Sequence, residues 1–398
     1  MKRNKPEAVQ ARKRQLLLLA PLALQPKLLL AGLQDKRTYK NASANQQISL
    51  PKDHAAHPEF KTEWWYFTGW LEREAPNAGA VGVQITFFRN APTTDLGNPS
   101  RFTPSQLLFA HAAIALPERS GLIHDQIALR AGAGDTLIQQ RENHTEFTLR
   151  LGSWQLKLNA DDTWSANIET PLLALDLLFK PTQTPWLQGA QGFSKKGPKP
   201  EQASHYITLP QLNTTGRIRS QGKQWNVRGT TWMDHEWSTA VLDPRASGWD
   251  WIGINGSDGS ALMAFVIRKK KGPDDLPDNP QTPTLWQHAE LRKADGTRRV
   301  FKNVVFETSQ TWLSPRTGVR YPVAPRLRLD ELLFELTPLM NDQELDARSS
   351  TGTVYWEGAV EVRQLVKENA KLNNSEKTDT VWGRGYLELT GYWQPLKL

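Results

Sequence analysis

The chain contains no cysteine. That excludes disulfides, thiolate metal sites, a cysteine nucleophile and acylation through cysteine, without choosing a compartment. Uninterrupted apolar runs of the about 20 residues that a bilayer-spanning helix needs are also missing. The longest, residues 16–24 (LLLLAPLAL) and 28–33, are separated by Gln25-Pro26-Lys27. No Gly-x-Ser-x-Gly elbow, His-x-x-x-His pair or glycine-rich phosphate loop occurs. Serine-hydrolase, zinc-helix and nucleotide-loop readings therefore lack their motifs. His54 and His57 are three apart, but Pro58 bars a ligand-bearing helix there, so no metal site is expected. No redox or other cofactor is expected either.

Excess positive charge is confined to the first 40 residues. That segment carries ten basic and two acidic groups, which leaves 39 of each sign for the other 358. The folded part is formally neutral, and a nucleic-acid partner loses its main support. A basic stretch before a short apolar run resembles an export signal, so residues 1–45 read as leader and linker. Export to the periplasm or beyond is expected. An uncleaved membrane-surface anchor or a disordered basic tail is the alternative. Leu33 stands where a lipoprotein signal would place its cysteine, so no lipid anchor is expected.

What is abundant is aromatic residues and turns. The 16 Trp stand against 4 Met, and the 27 Gly and 26 Pro are spread along the chain. Aromatic and β-branched runs between turns predict strands. A first hairpin joins residues 63–71 to 81–89, and a second joins 249–255 to 261–268. Between and after them, strands are predicted at 107–116, 145–151, 154–159, 172–179, 206–209, 214–219, 285–293, 300–308, 326–335, 353–363 and 384–393. The prediction is an all-β protein of sandwiches or barrels, divided at 46–242 and 243–398, with a shared plan in the two halves.

Residues 229–238 (GTTWMDHEWS) put Asp234, His235 and Glu236 between Trp232 and Trp237. On a strand, Trp232, Asp234 and Glu236 share one face while Met233, His235 and Trp237 share the other. Residues 63–70 and 249–251 are similarly aromatic and acidic, with Trp64, Trp65, Tyr66, Trp249, Asp250 and Trp251. Either these segments are packed corners whose carboxylates satisfy backbone groups, or they line one apolar pocket whose polar tips do chemistry. In such a pocket a carboxyl group becomes a general acid, and indole faces stabilise a cation.

Together, His57-Pro58, Trp64-Trp65-Tyr66-x-Thr68-Gly69, Trp232-x-Asp234-His235-Glu236-Trp237, Trp249-Asp250-Trp251, Tyr355-Trp356-Glu357-Gly358 and residues 383–392 resemble the AttH/CrtC family. That family includes carotenoid 1,2-hydratase (hydroxyneurosporene synthase) and many exported predicted hydrolases. The resemblance covers roughly residues 50–395. It implies two consecutive lipocalin-like (calycin) antiparallel β-barrels, an apolar lipid or isoprenoid ligand, and hydration or hydrolysis without a redox cofactor. Relatives that catalyse cyclisation by shaping a substrate widen the range. The resemblance assigns no roles at these positions. From their chemistry, Asp234 or Glu236 is the candidate acid, His235 the water-orienting base and Asp250 a second acid. Trp64, Trp65, Tyr66, Trp232, Trp237, Trp249 and Trp251 are the candidate substrate-binding residues. The alternative is a non-catalytic periplasmic carrier or chaperone for such a ligand, beside a membrane or transport system.

Overall fold

The computed structural model describes residues 38–74, 79–92, 104–141, 145–270, 283–365 and 381–396. The expected leader, the stretch 369–379 and most of 269–283, both of which the sequence marks as loops, lie outside the described residues. Among those described, a single 3-10 turn, Lys52–His54, accompanies two β-sheets.

The first sheet comprises β1 (Thr62–Arg73), β2 (Ala80–Asn90), β3 (Leu107–Ala115), β4 (Ile123–Arg130), β5 (Thr136–Gln140), β6 (Phe147–Leu151), β7 (Trp154–Leu158), β8 (Trp164–Glu169), β9 (Leu173–Lys180), β10 (Trp186–Leu187), β11 (Phe193–Lys195), β12 (Ala203–Ser220) and β13 (Lys223–Ser238). The second comprises β14 (Ala246–Gly256), β15 (Ala261–Lys269), β16 (Thr284–Arg292), β17 (Arg298–Phe301), β18 (Val304–Leu313), β19 (Arg320–Leu329), β20 (Leu332–Pro338), β21 (Glu344–Ala347), β22 (Thr353–Leu365) and β23 (Gly383–Leu389). Every pairing is antiparallel.

The two sheets share one plan. In each, the first strand pairs on one side with the second and on the other with the last: β2-β1-β13 and β15-β14-β23. Each sheet then curls on itself into a nearly closed barrel, as the resemblance implied. The reason is visible in the strands themselves. In β9, Leu173, Leu175, Leu177 and Phe179 are buried while Asp176, Leu178 and Lys180 face out, so each wall is apolar inside. Trp65, Phe67, Phe147 and Trp164 help fill the first barrel, and Ile254, Tyr321, Phe334 and Trp356 the second.

Several strands differ from expectation. The stretch at 326–335 is two strands, because Asp330 adopts a positive φ of 49° and turns the chain between β19 and β20. The Asp330 carboxylate also receives the backbone N–H groups of Lys302 and Asn303, which splits 300–308 into β17 and β18. Conversely, 206–209 and 214–219 belong to one long strand, β12, interrupted only by an irregularity between Leu209 and Leu212. Strands β4, β5, β8, β10, β11 and β21 are not among the predicted ones; the last three run only two to four residues.

The barrels pack on each other through the outer faces of β1, β2 and β13 and of β14, β22 and β23. Their contact includes Tyr66, Trp232, Trp251, Met263, Ala359 and Tyr386. Glycine permits the closest approaches. A Cβ at Gly82 would lie 2.8 Å from that of Ala359, and one at Gly253 would meet the Trp232 ring at 2.9 Å. Gly82→Val is expected to destabilise the protein by about 1–3 kcal/mol through overpacking. Calorimetry should show a lower thermal midpoint; an unchanged one would mean that this seam is loose.

Candidate functional site

Because β1 pairs with β13, segments some 170 residues apart in sequence become neighbours (62–73 and 223–238). Their period of two sends alternate residues to opposite sides of the sheet. On the outer side, register aligns two rows across five strands. The first runs Tyr206, Glu236, Trp64, Phe88, Phe109. The second runs Thr208, Asp234, Tyr66, Thr86, His111. The second barrel lays a matching row over them, Phe265, Trp251, Glu388, Glu357, flanked by Ile267, Trp249, Thr390 and Tyr355. Between floor and roof is a largely apolar cavity of about 240 Å³.

Asp234 is 2% exposed. The Tyr206 hydroxyl donates to its Oδ2 and the Thr208 hydroxyl to its Oδ1, both at 2.6 Å. Tyr206 is itself held by the Trp251 indole N–H from the other barrel, at 3.1 Å. Burial pushes the Asp234 carboxyl up to about 7, against those hydrogen bonds. Two residues along, Glu236 pairs with the Lys196 ammonium at 3.0 Å. Lys196 sits over the Tyr206 and Phe265 rings, at 4.5 and 4.3 Å. In the roof, burial raises Glu388 to about 8. Burial and then Glu388 hold Glu357 well above the carboxylate range, while the nearby Tyr66 phenol pulls the other way. The cavity thus presents neutral carboxylic acids beside one ion pair, among indole and phenol rings.

His235, Trp65 and Trp237 do not face this cavity. The strand period turns them inward, so His235 is not positioned to orient water for Asp234. Instead, Glu63 Oε1 is shared by His57 Nδ1 at 2.8 Å and His235 Nε2 at 2.9 Å, and Arg89 Nε donates to Oε2 at 2.8 Å. Arg89 also grips the His57 and Phe60 carbonyls, and Trp237 stacks on His57 at 3.8 Å. Trp65 stacks on His235 at 4.7 Å. Asp250 likewise points away from its neighbours Trp249 and Trp251. It is paired with Arg268 at 3.0 Å and receives the Tyr392 hydroxyl, which leaves it no free role as a second acid. Trp232 shares the Asp234 face but does not line the cavity; it is packed edge-on against Trp251 and Trp186.

Among the described residues, His57, Glu63 and His235 form a grouping with metal-ligand atoms within 4.8 Å of one another. The Arg89 guanidinium on the same carboxylate already supplies the positive charge that a cation would bring. The cluster acts as a buckle tying the His57–Phe60 segment to the barrel wall. A second hollow of about 450 Å³ on the first barrel, lined by residues such as Ala56, Leu108, Ile138 and Gln140, has no ionisable lining residue.

Glu357, Glu388, His111, Tyr206, Tyr355 and Lys196 were not foreseen as site residues. Glu357 and Glu388 left a signal, since each is an acid among apolar neighbours, Glu357 after Tyr355-Trp356 and Glu388 between Leu387 and Leu389. Lys196 left none, lying in a Lys- and Pro-rich stretch that reads as a surface loop.

With this arrangement established, comparison with known proteins becomes informative. A family model described as AttH-like matches residues 41–392. The chain belongs to the AttH-like family. A crystal structure of a protein assigned as an AttH from Nitrosomonas europaea is similar at 40% identity and a TM-score of 0.74, over 89% of this chain and 99% of that one. Kievitone hydratase from Nectria haematococca shares the fold at a TM-score of 0.59 and 14% identity, over 90% of this chain and 97% of that one. No curated protein sequence matches the chain.

The buckle of this AttH-like protein has a measurable signature. Burial opposes protonation of His57, but Glu63 and Asp53 outweigh it and raise its pKa from 6.5 to about 9. The stabilisation is complete below 6.5 and is lost as pH rises through about 9. Glu63→Gln is expected to cost about 3–5 kcal/mol in denaturant unfolding at neutral pH. It should also shrink the loss of stability on the alkaline side; a profile of unchanged shape would show that Glu63 does not hold the imidazolium.

Proposed function

We propose that the protein catalyses proton-initiated addition of water to a carbon–carbon double bond of an apolar, isoprenoid-like molecule held between the barrels. The observation that carries this reading is Asp234: a carboxyl with a pKa near 7, oriented by two hydroxyls and facing an aromatic-lined cavity. An acid of that strength retains its proton near neutrality and is matched to general-acid work. The proton passes to one alkene carbon, and the cation on the other faces Trp64, Tyr66, Trp249 and Trp251. Water attacks that carbon and gives up a proton to Glu236, one pleat away on the same strand face, about 7 Å between Cα atoms. Once product leaves, that proton returns to Asp234 through water, so alkene and water give alcohol with no other change. The base role read for His235 in the sequence passes to Glu236, whose environment differs from that of Asp234 through the Lys196 ion pair. The fold shared with kievitone hydratase supports a hydratase over other acid chemistry, as does the likeness to carotenoid 1,2-hydratase.

The test is incubation of purified protein with acyclic isoprenoids in oxygen-18 water, read by mass spectrometry. Label should enter the product carbon skeleton as an alcohol. Asp234→Asn is expected to lower turnover at least about 100-fold while leaving ligand affinity nearly unchanged. Wild-type turnover should fall as pH rises through about 7, because the protonated acid is the active form. Native mass spectrometry showing a bound isoprenoid that never acquires label would instead identify a carrier.

A further inference from the structure

At the other end of the floor row, the cavity is bounded by a chain of hydrogen bonds that joins the two barrels. The Gln126 side-chain nitrogen donates to the Asp346 carbonyl at 2.6 Å, which leaves Gln126 Oε1 as an acceptor. Ser350 donates its hydroxyl proton there, also at 2.6 Å. The Ser350 oxygen therefore accepts from His111 Nε2–H at 2.8 Å. His111 Nδ1 is then without a proton and takes the Tyr355 hydroxyl proton at 2.7 Å. Burial, followed by the charge of His124, drives His111 down to about 3, so the ring stays neutral with a single N–H. Each link orients the next, and the last one matters: Tyr355 has committed its only proton. Its oxygen offers lone pairs and nothing else.

Beside it, Glu357 is 2% exposed, and its Oε1 lacks a well-formed hydrogen bond. The Tyr66 hydroxyl, close enough to act on Glu357, also lacks one. All three side chains line the cavity. Buried polar atoms left open in this way mark the place of a ligand group. A neutral Glu357 offers a donor, and Tyr355 requires one.

We propose that this end of the cavity is a subsite for a ligand hydroxyl, which donates to Tyr355 and accepts from Glu357. This inference rests on the reading of the cavity as a substrate site and names the substrate class: an elongated molecule with a hydroxyl at one end and its reacting double bond at the other. Glu357 stands beside Tyr66, one strand spacing from Asp234, while Tyr355 meets His111, three spacings along the same row, so the two ligand ends lie between about 5 and 14 Å apart. An ether or a ketone sets lone pairs against lone pairs at Tyr355 and is selected against. His111 is a positioning residue, acting by holding the Tyr355 proton.

Farnesol and its methyl ether, which differ by that one donor, are the probes, with binding read by quenching of tryptophan fluorescence. The wild type is expected to bind farnesol about ten-fold or more tightly than the ether. Tyr355→Phe should abolish the preference. His111→Phe should narrow it by strengthening ether binding, because the freed Tyr355 proton is then available to the ether oxygen. A merely steric exclusion of the methyl group would survive in His111→Phe, and that result overturns the proposal. Equal binding of the two probes by the wild type overturns it as well. Since the readout is equilibrium binding, it stands or falls separately from turnover: an inactive protein that still prefers farnesol defeats the hydratase reading alone.

Discussion

Alternation along a β-strand gives neighbouring residues different worlds, and in this protein a single strand wall separates two chemistries. The inner side of the β1–β13 pair holds the buckle, in which Glu63 is ion-paired with Arg89 and His57 and hydrogen-bonded to the neutral His235. The outer side holds Asp234, Glu236, Trp64 and Tyr66 under the second barrel. A slip of one residue in register would exchange the two sets, placing the paired groups in the cavity and the neutral acids in the core. Fixed pairing of the first strand with the last prevents this in both barrels.

The two sides also differ in what they contribute to stability. Inside, each charge has partners: Glu63 is held well below the carboxylate range because Arg89 and His57 outweigh its burial. Outside, Glu236 has Lys196, but Asp234 has no cationic partner among the described residues. Asp234 ionises near 3.8 when unfolded but near 7 when folded. Between those values the folded chain keeps a proton that the unfolded chain has released, so stability falls as pH rises through that window. The aromatic packing of both barrels and the broad contact between them offset that cost. Strain of this kind gathers where a protein does chemistry rather than where it merely holds together.

The location of the cavity follows from the same packing. Large side chains such as Trp164 and Trp356 occupy the barrel interiors. The cavity lies instead in the seam between barrels, where Asn255 of the second also donates to the Thr231 carbonyl of the first and the Gln211 backbone N–H donates to Asn255. The two barrels are therefore packed largely with their own side chains, and both contribute acids to the cavity between them.

Much of this was legible without coordinates. Strand alternation and aromatic spacing are local properties of the chain, so the all-β class, the two hairpins and the shared face of Asp234 and Glu236 could be read directly. That same alternation already placed His235 and Trp237 on the other side. Partnership could not be read, because it depends on contacts between residues far apart in sequence. Nothing near Asp250 announces Arg268, nothing near Glu63 announces Arg89 and His235, and nothing in a lysine-rich loop announces that Lys196 folds back onto Glu236. Composition and periodicity chose the elements and their faces; only tertiary packing decided which carboxyl was paired and which was left neutral, since a pKa is set by neighbours in space.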